Sequence, residues 1–396
     1  MLDNNESINA LNLTDIECII AAGVKTDIKG AGIGDWNLLN NVIKSNEPDY
    51  LFGYLSYDLK NQIEKLESNH LNQIGLDELY FFKPIHLIII YRNGSYLLQS
   101  PQSNLIEEIL QTDAKHFASH QVQIKPKVSR EKYIKNVQAI QQHIIEGDVY
   151  ELNYCVEFFD EHARLDAYHV YQKLKQFSPT PFGAFLRVYD NFILCASPER
   201  FLKKKGKTLY SQPIKGTIKR GNSKDEDQQL ILQLLNSEKE RAENLMIVDL
   251  VRNDLARSSE IGSVKVEELF SIYTFSQVHQ MISTVSSKIN ENTSAVEAIK
   301  NAFPMGSMTG APKVMAMELI EKYETTKRGL YSGAIGYFAP NKDFDFNVVI
   351  RSIQYNANKK YVSFEVGSAI TFDSNAEHEY EECLLKAQAM MRALAE

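Results

Sequence analysis

The stretch Glu240-Arg241-Ala242-Glu243-Asn244-Leu245-Met246-Ile247-Val248-Asp249-Leu250-Val251-Arg252-Asn253-Asp254-Leu255 lies within residues 226 to 257, which read as one or two long helices. Glu240 and Glu243 stand three apart and therefore share a helix face. A second pair with the same spacing, Glu379 and Glu382, falls in a helix expected from about Ala376 onward. Two such faces brought together would supply hard oxygen ligands suited to Mg²⁺ completed by water or substrate oxygens. The same spacing also suits an ordinary solvated helix face, and pattern alone favours that reading.

Upstream, Lys215 stands in Pro213-Ile214-Lys215-Gly216-Thr217. A partly desolvated lysine there would have a lowered pKa and act as a nucleophile; the alternative is a surface amine. Glu199 lies in Ser197-Pro198-Glu199-Arg200-Phe201. A carboxyl beside an apolar run can have a raised pKa and serve as general acid, whereas a salt bridge with Arg200 would keep it ionised. Two small-residue loops, Met305 to Lys313 and Val366 to Ala369, could offer backbone N–H groups to a carboxylate or could simply be tight turns. The first lacks the Gly-Lys-Ser/Thr ending of a phosphate-binding loop.

Around these motifs lies an acidic chain of 396 residues with formal net charge −8, which argues against a nucleic-acid or membrane surface. Its four cysteines, Cys18, Cys155, Cys195 and Cys383, form no Cys-x-x-Cys pair, so no disulfide framework or zinc site is expected. The polar start Met1 to Glu6 is unlike a signal peptide, and the apolar run Pro84 to Tyr91 is too short to span a bilayer. These features imply a cytoplasmic protein. Residues 1–124 read as a first region, with a glycine-bearing stretch Gly30 to Gly34 and a hairpin from Ile85 to Gln99 turning at Asn93-Gly94. Lys125-Pro126-Lys127 reads as a connector into a region 125–396, where Ser129 caps a helix ended by Gly147. Strands are expected over 183–214 and 330–372, and a short helix from Ser294 to Asn301. Runs of strands and runs of helices together point to an α+β fold.

The order and spacing of these motifs resemble the chorismate-utilising enzymes. Further matches are Gly306 to Lys313, Gly333-Ala334-Ile335-Gly336-Tyr337, Val349-Ile350-Arg351-Ser352 and Glu379 to Ala387; before residue 126 only Phe52 to Asp58 is distinctive. The resemblance implies an anthranilate-synthase-like fold, with two antiparallel sheets packed together, outer helices and a deep central cleft, regions 1–124 and 125–396 forming one integrated unit. It implies Mg²⁺ held by Glu243 and Glu382, with Glu240 and Glu379 beside them. Arg351 and Tyr337 would bind the enolpyruvyl carboxylate of chorismate, assisted by Gly306, Ser307, Gly367, Ser368 and Thr217. Glu199 would protonate the departing 4-hydroxyl.

Within that family, Lys215 resembles the lysine of the aminodeoxychorismate synthases, where anthranilate synthases carry Ala. The resemblance implies that Lys215 adds at ring C2 as the 4-hydroxyl leaves, and that ammonia then adds at C4 and expels it. The product would be 4-amino-4-deoxychorismate, a precursor of p-aminobenzoate and folate. With no Cys-His glutaminase motif in this chain, a glutamine amidotransferase subunit would supply the ammonia. The water-activating lysine of isochorismate synthases aligns with Glu151, where the amino-transferring members usually carry Gln. A family histidine is replaced by Gln280, with His279 adjacent. No tryptophan-binding Leu-Leu-Glu-Ser motif is found, so feedback by tryptophan is not expected. The competing readings are an anthranilate synthase component I and a non-catalytic chorismate-binding protein.

Overall fold

The computed structural model describes residues 1–4, 15–30, 32–45, 49–113 and 122–395. Asn5 and Glu6 of the polar start, and Ala31 of the glycine-bearing stretch, lie outside them. The strands pair antiparallel throughout the described residues and form two layers. In the first layer, Leu51–Leu55 pairs with Ala334–Phe338, which pairs with Phe344–Asn347, then Arg200–Lys205, Thr208–Gln212 and Val278–Lys288. Ile214–Lys219 continues along the same side of Val278–Lys288, and Lys265–Thr274 occupies its other edge. In the second layer, Phe182–Val188 pairs with Asn191–Ser197, followed by Ser352–Asn356, Tyr361–Ile370 and Glu151–Asp160.

Two long strands of the N-terminal region join the layers. Ile16–Lys29 pairs along its length with Leu79–Tyr91, with a register shift between Val24 and Thr26. On one side of that shift Leu79–Tyr91 also pairs with Leu51–Leu55; on the other, Ile16–Lys29 reaches the second layer through Leu2–Asp3. Region 1–124 is therefore hydrogen-bonded into both sheets. Lys125-Pro126, read as a connector, is itself a short strand against Glu151–Asp160.

The interior between the layers draws Phe52, Tyr54 and Ile335 from the first sheet and Phe159, Ile193, Cys195 and Tyr361 from the second. Each fully buried large apolar side chain contributes about 1.5–3 kcal/mol. Helices cover the outer faces. Tyr133, Val137 and Ile140 of Arg130–Glu146, and Cys383, Ala387 and Met390 of Ala376–Ala395, pack on the second sheet. Ile247, Val248, Val251 and Leu255 of Glu238–Ala256 pack on the first. Local chemistry sets the helix ends as expected: Ser129 Oγ accepts from the Lys132 amide, and Gly147 leaves the helix at φ 87. Residues 226 to 257 split into two helices, Lys224–Leu235 and Glu238–Ala256, the second capped by Ser237.

The chain crosses directly between the layers at two places. Pro198-Glu199 links Asn191–Ser197 of the second sheet to Arg200–Lys205 of the first. Val348 to Arg351 links Phe344–Asn347 of the first to Ser352–Asn356 of the second. The two crossings are tied together: the Val348 amide donates to Glu199 O at 3.0 Å and the Ala196 amide to Arg351 O at 3.2 Å.

Candidate active site

Glu199 occupies the first crossing. Its carboxyl is buried and accepts from Ser307 Oγ at 2.7 Å. Burial pushes its pKa up to about 7, against the lowering effects of Ser307 and the Lys215 charge. A carboxyl balanced in this way is half protonated near neutrality, as a general acid requires. Arg200 takes no part in holding it, because its guanidinium is committed to Asp345 at 2.8 Å.

Lys215 lies on the strand Ile214–Lys219, whose pairing with Val278–Lys288 shifts register between Ile214 and Thr217. Gly216 makes that irregularity possible, with φ at +93 and Glu240 Oε2 only 3.1 Å from where a Cβ would stand. The bulge leaves Lys215 Nζ bonded to Glu151 Oε1 at 2.9 Å, both side chains largely buried. Glu151 belongs to the second sheet, so this pair spans the two layers. The expected lowered amine pKa is corrected here. Burial does act to lower it, but the charges of Glu151 and Glu243 and the hydrogen bond to Glu151 outweigh that effect, and the ammonium is held above its usual range.

Helix Glu238–Ala256 is locked to the lysine strand by Asn244, whose Nδ2 donates to Lys215 O and to Met281 O, each at 3.4 Å, while its Oδ1 accepts from Ser283 Oγ at 2.6 Å. That fixes Glu243 and Glu240 beside the lysine. Burial, with Glu151 and Glu240 adding to it, raises the Glu243 carboxyl to about 7. Burial also raises Glu240, which feels the charge of Glu382. Glu382 itself is held below the usual carboxyl range: burial acts to raise it, but Lys386, at 2.7 Å, and more distant lysines prevail. Three carboxylates from two helices thus share one field, together with the ammonium groups of Lys215, Lys239 and Lys386. The chemistry of this donor set fits a hard divalent cation such as Mg²⁺.

Glu379 is placed apart from these three. It is buried, accepts from Ser374 Oγ at 2.8 Å and directs its field at Tyr133, because it sits in the first turn of its helix over the loop that enters it. Tyr337 is likewise set away from the lysine. Its ring packs on Phe52 at 5.8 Å and Tyr50 at 6.3 Å, within the aromatic layer that joins Leu51–Leu55 to Ala334–Phe338. Tyr331 instead comes up to strand Glu151–Asp160, its hydroxyl 3.6 Å from Cys155 Sγ, and Cys155 lies opposite Gly367 in register.

Arg351 stands on the second crossing with φ at 51. Burial pulls its guanidinium below its ordinary range, and no acidic side chain pairs with it among the described residues. A largely enclosed arginine without a counter-ion is suited to an incoming carboxylate. Gly367 and Ser368 continue their strand beyond Phe364, where the pairing with Ser352–Asn356 stops. Gly367 O accepts from Lys386 Nζ at 2.8 Å, and Ser368 Oγ turns outward to Tyr133 at 3.2 Å. Thr217 Oγ1 accepts from Gln280 Nε2 at 3.5 Å. Gly306 packs on Leu250 of the carboxylate-bearing helix and presents Ser307 to Glu199. His279 does not fill the place of the missing family histidine: its ring nitrogens are bonded to Asp227 at 2.8 Å and Thr274 at 2.9 Å, on the side of helix Lys224–Leu235.

Four residues escaped the sequence reading: Asn244, Tyr331, Lys386 and, as the lysine's partner, Glu151. Lys386 had a legible signal, standing four residues after Glu382 on one helix face. The contacts of Asn244 and Glu151 are made across elements and left no local trace.

The two crossings and the lysine strand thus carry a buried acid, a lysine among carboxylates and an arginine with no acidic partner among the described residues. Residues 20–392 match the family of chorismate binding enzymes, and the chain belongs to that family. It is 36% identical over 370 residues to aminodeoxychorismate synthase component 1 of Bacillus subtilis (strain 168), covering 88% of this chain and 78% of that one. It is 44% identical over 271 residues to a probable chloroplastic aminodeoxychorismate synthase of Oryza sativa subsp. japonica, covering 68% of this chain but only 30% of that longer protein. The crystal structure of anthranilate synthase component I from Streptococcus pneumoniae TIGR4 superposes with TM-score 0.85 at 26% identity, covering 98% of this chain and 94% of that one. Both the α+β class and the two-sheet architecture agree with that likeness. Among the described residues no helix is long and apolar enough to cross a membrane.

Proposed function

We propose that this chain is the aminating component of an aminodeoxychorismate synthase, converting chorismate and ammonia to 4-amino-4-deoxychorismate. The observation that carries this reading is Lys215, an amine buried beside Glu199 and Glu243 in a chorismate-enzyme fold. The names of the Bacillus subtilis and rice relatives support it. Arg351 would capture the enolpyruvyl carboxylate. Glu199 would give its proton to the departing 4-hydroxyl, which leaves as water. The Lys215 amine would form a bond to C2 as the C4–O bond breaks and the ring double bonds shift. Ammonia would then bond to C4, the double bonds would shift back, and the C2–N bond would break to return the amine. Mg²⁺, held by Glu243 and Glu382 with Glu240 beside them, would neutralise and anchor a carboxylate of the substrate. A separate glutamine amidotransferase subunit would supply ammonia, in a cytoplasmic setting that agrees with four unpaired thiols.

The structural likeness to anthranilate synthase component I favours a second reading, in which ammonia attacks C2. Chromatography of the product formed from chorismate, ammonium and Mg²⁺ decides between them. Aminodeoxychorismate supports the proposal, and fluorescent anthranilate refutes it. Binding of chorismate with no turnover under any nitrogen source would make the chain a non-catalytic binder.

A further inference from the structure

Lys215 enters the reaction in the wrong protonation state. An ammonium has no lone pair, so one proton must leave Nζ before a bond to carbon can form. Of the acidic groups near it, Glu199 is engaged with Ser307 and is needed as an acid, and Glu243 and Glu240 belong to the cation site. Glu151 remains, and it is the group that touches Nζ, at 2.9 Å. It is almost wholly buried, and its second oxygen, Oε2, has no hydrogen-bond partner among the described residues. One oxygen can therefore stay on the lysine while the other carries a proton.

The surrounding backbone holds this carboxylate in place. Gly310 pairs against the same strand, and a Cβ there would stand 2.1 Å from Glu151 O, so only glycine permits so close an approach. The Tyr150 amide donates to Ala311 O at 2.7 Å and closes the seam on the other side. A base fixed this tightly loses little to reorganisation when it acts.

We propose that Glu151 is the proton acceptor that turns the Lys215 ammonium into the attacking amine. The step balances within the pair: one N–H bond of Lys215 breaks, its electrons stay on nitrogen, and the proton bonds to a Glu151 oxygen. The proton returns when the amine is expelled from C2. The proposal rests on the reading of Lys215 as nucleophile.

The test isolates the single step. The full-length protein is mixed with chorismate and Mg²⁺ in the absence of ammonia, and the Lys215–ring adduct is timed by intact-mass spectrometry. The unaltered chain should form it, and Glu151→Gln should form it about 100-fold or more slowly, the usual range for loss of a general base. In Glu151→Gly, added formate, acetate or propionate should restore the rate in order of increasing basicity, a trend that a purely structural carboxylate would not produce. An unchanged adduct rate in Glu151→Gln, or rescue indifferent to basicity, overturns the role of Glu151 and leaves Lys215 standing. No adduct in the unaltered chain, together with full C4 amination by Lys215→Ala, overturns the nucleophile reading and this proposal with it.

Discussion

Ser307 Oγ donates to Glu199 Oε1 at 2.7 Å, joining the loop before helix Lys313–Tyr323 to the crossing between the sheets. The bond orients one carboxyl oxygen without neutralising the group, whose pKa burial lifts to about 7. In the proposed mechanism Glu199 acts in its protonated form, fully present well below pH 7 and lost as pH rises through it. The turnover rate should therefore fall on the alkaline side with a midpoint near that value. Glu199→Gln should lower kcat by about 10²–10⁴-fold and abolish that limb, as read from kcat against pH.

Lys215→Ala should eliminate amination at C4, and anthranilate is the product to look for if ammonia then reaches C2. It should also destabilise the fold. Removing one partner of a buried ion pair leaves the other charge uncompensated, at a cost of about 3–5 kcal/mol. Replacing both members, Lys215→Met with Glu151→Leu, should recover most of that stability in urea denaturation without recovering activity. Equal stability of the single and double variants would contradict the buried pair.

Cation binding should depend on Glu243 and Glu382 and far less on Glu379. Added Mg²⁺ should raise the melting temperature of the unaltered protein and of Glu379→Gln. The response should disappear in Glu243→Gln. A Glu379→Gln variant blind to Mg²⁺ would bring that residue back among the ligands.

Asn244→Ala should cost about 1–3 kcal/mol, because Lys215 O, Met281 O and Ser283 Oγ all lose a buried partner. It should also weaken Mg²⁺ binding, since the helix carrying Glu240 and Glu243 is no longer clamped to the lysine strand. Denaturation and a Mg²⁺ titration of the same sample check both.

The parts of this architecture that depend on nearest neighbours were legible in the chain. Ser129 and Gly147 delimit a helix, Asn93-Gly94 turns a hairpin, and Ser294 with Glu297 forms a capping box, each through contacts a few residues apart. The motif order also led to Glu199, Lys215, Glu243 and Arg351. What it could not convey was which face of a strand or helix each side chain would take. Tyr337 and Tyr331 both neighbour the glycines of one motif, yet it is Tyr331 that comes up to Cys155, opposite Gly367. Glu379 and Glu382 share a helix, yet Ser374 claims the first. The state of Lys215 was hidden for a similar reason: the carboxylate that sets it comes from another sheet, 64 residues away in sequence.

The acid and the arginine ride on main chain that passes from one sheet to the other, so their spacing is wired into the connectivity of the fold. The lysine meets Glu151 only through side chains reaching across from separate layers. The acid and the arginine are thus fixed hardware and the lysine an exchangeable fitting. On the proposed mechanism, a lineage could change the nucleophile, and with it the carbon that receives nitrogen, by swapping two side chains on an untouched frame.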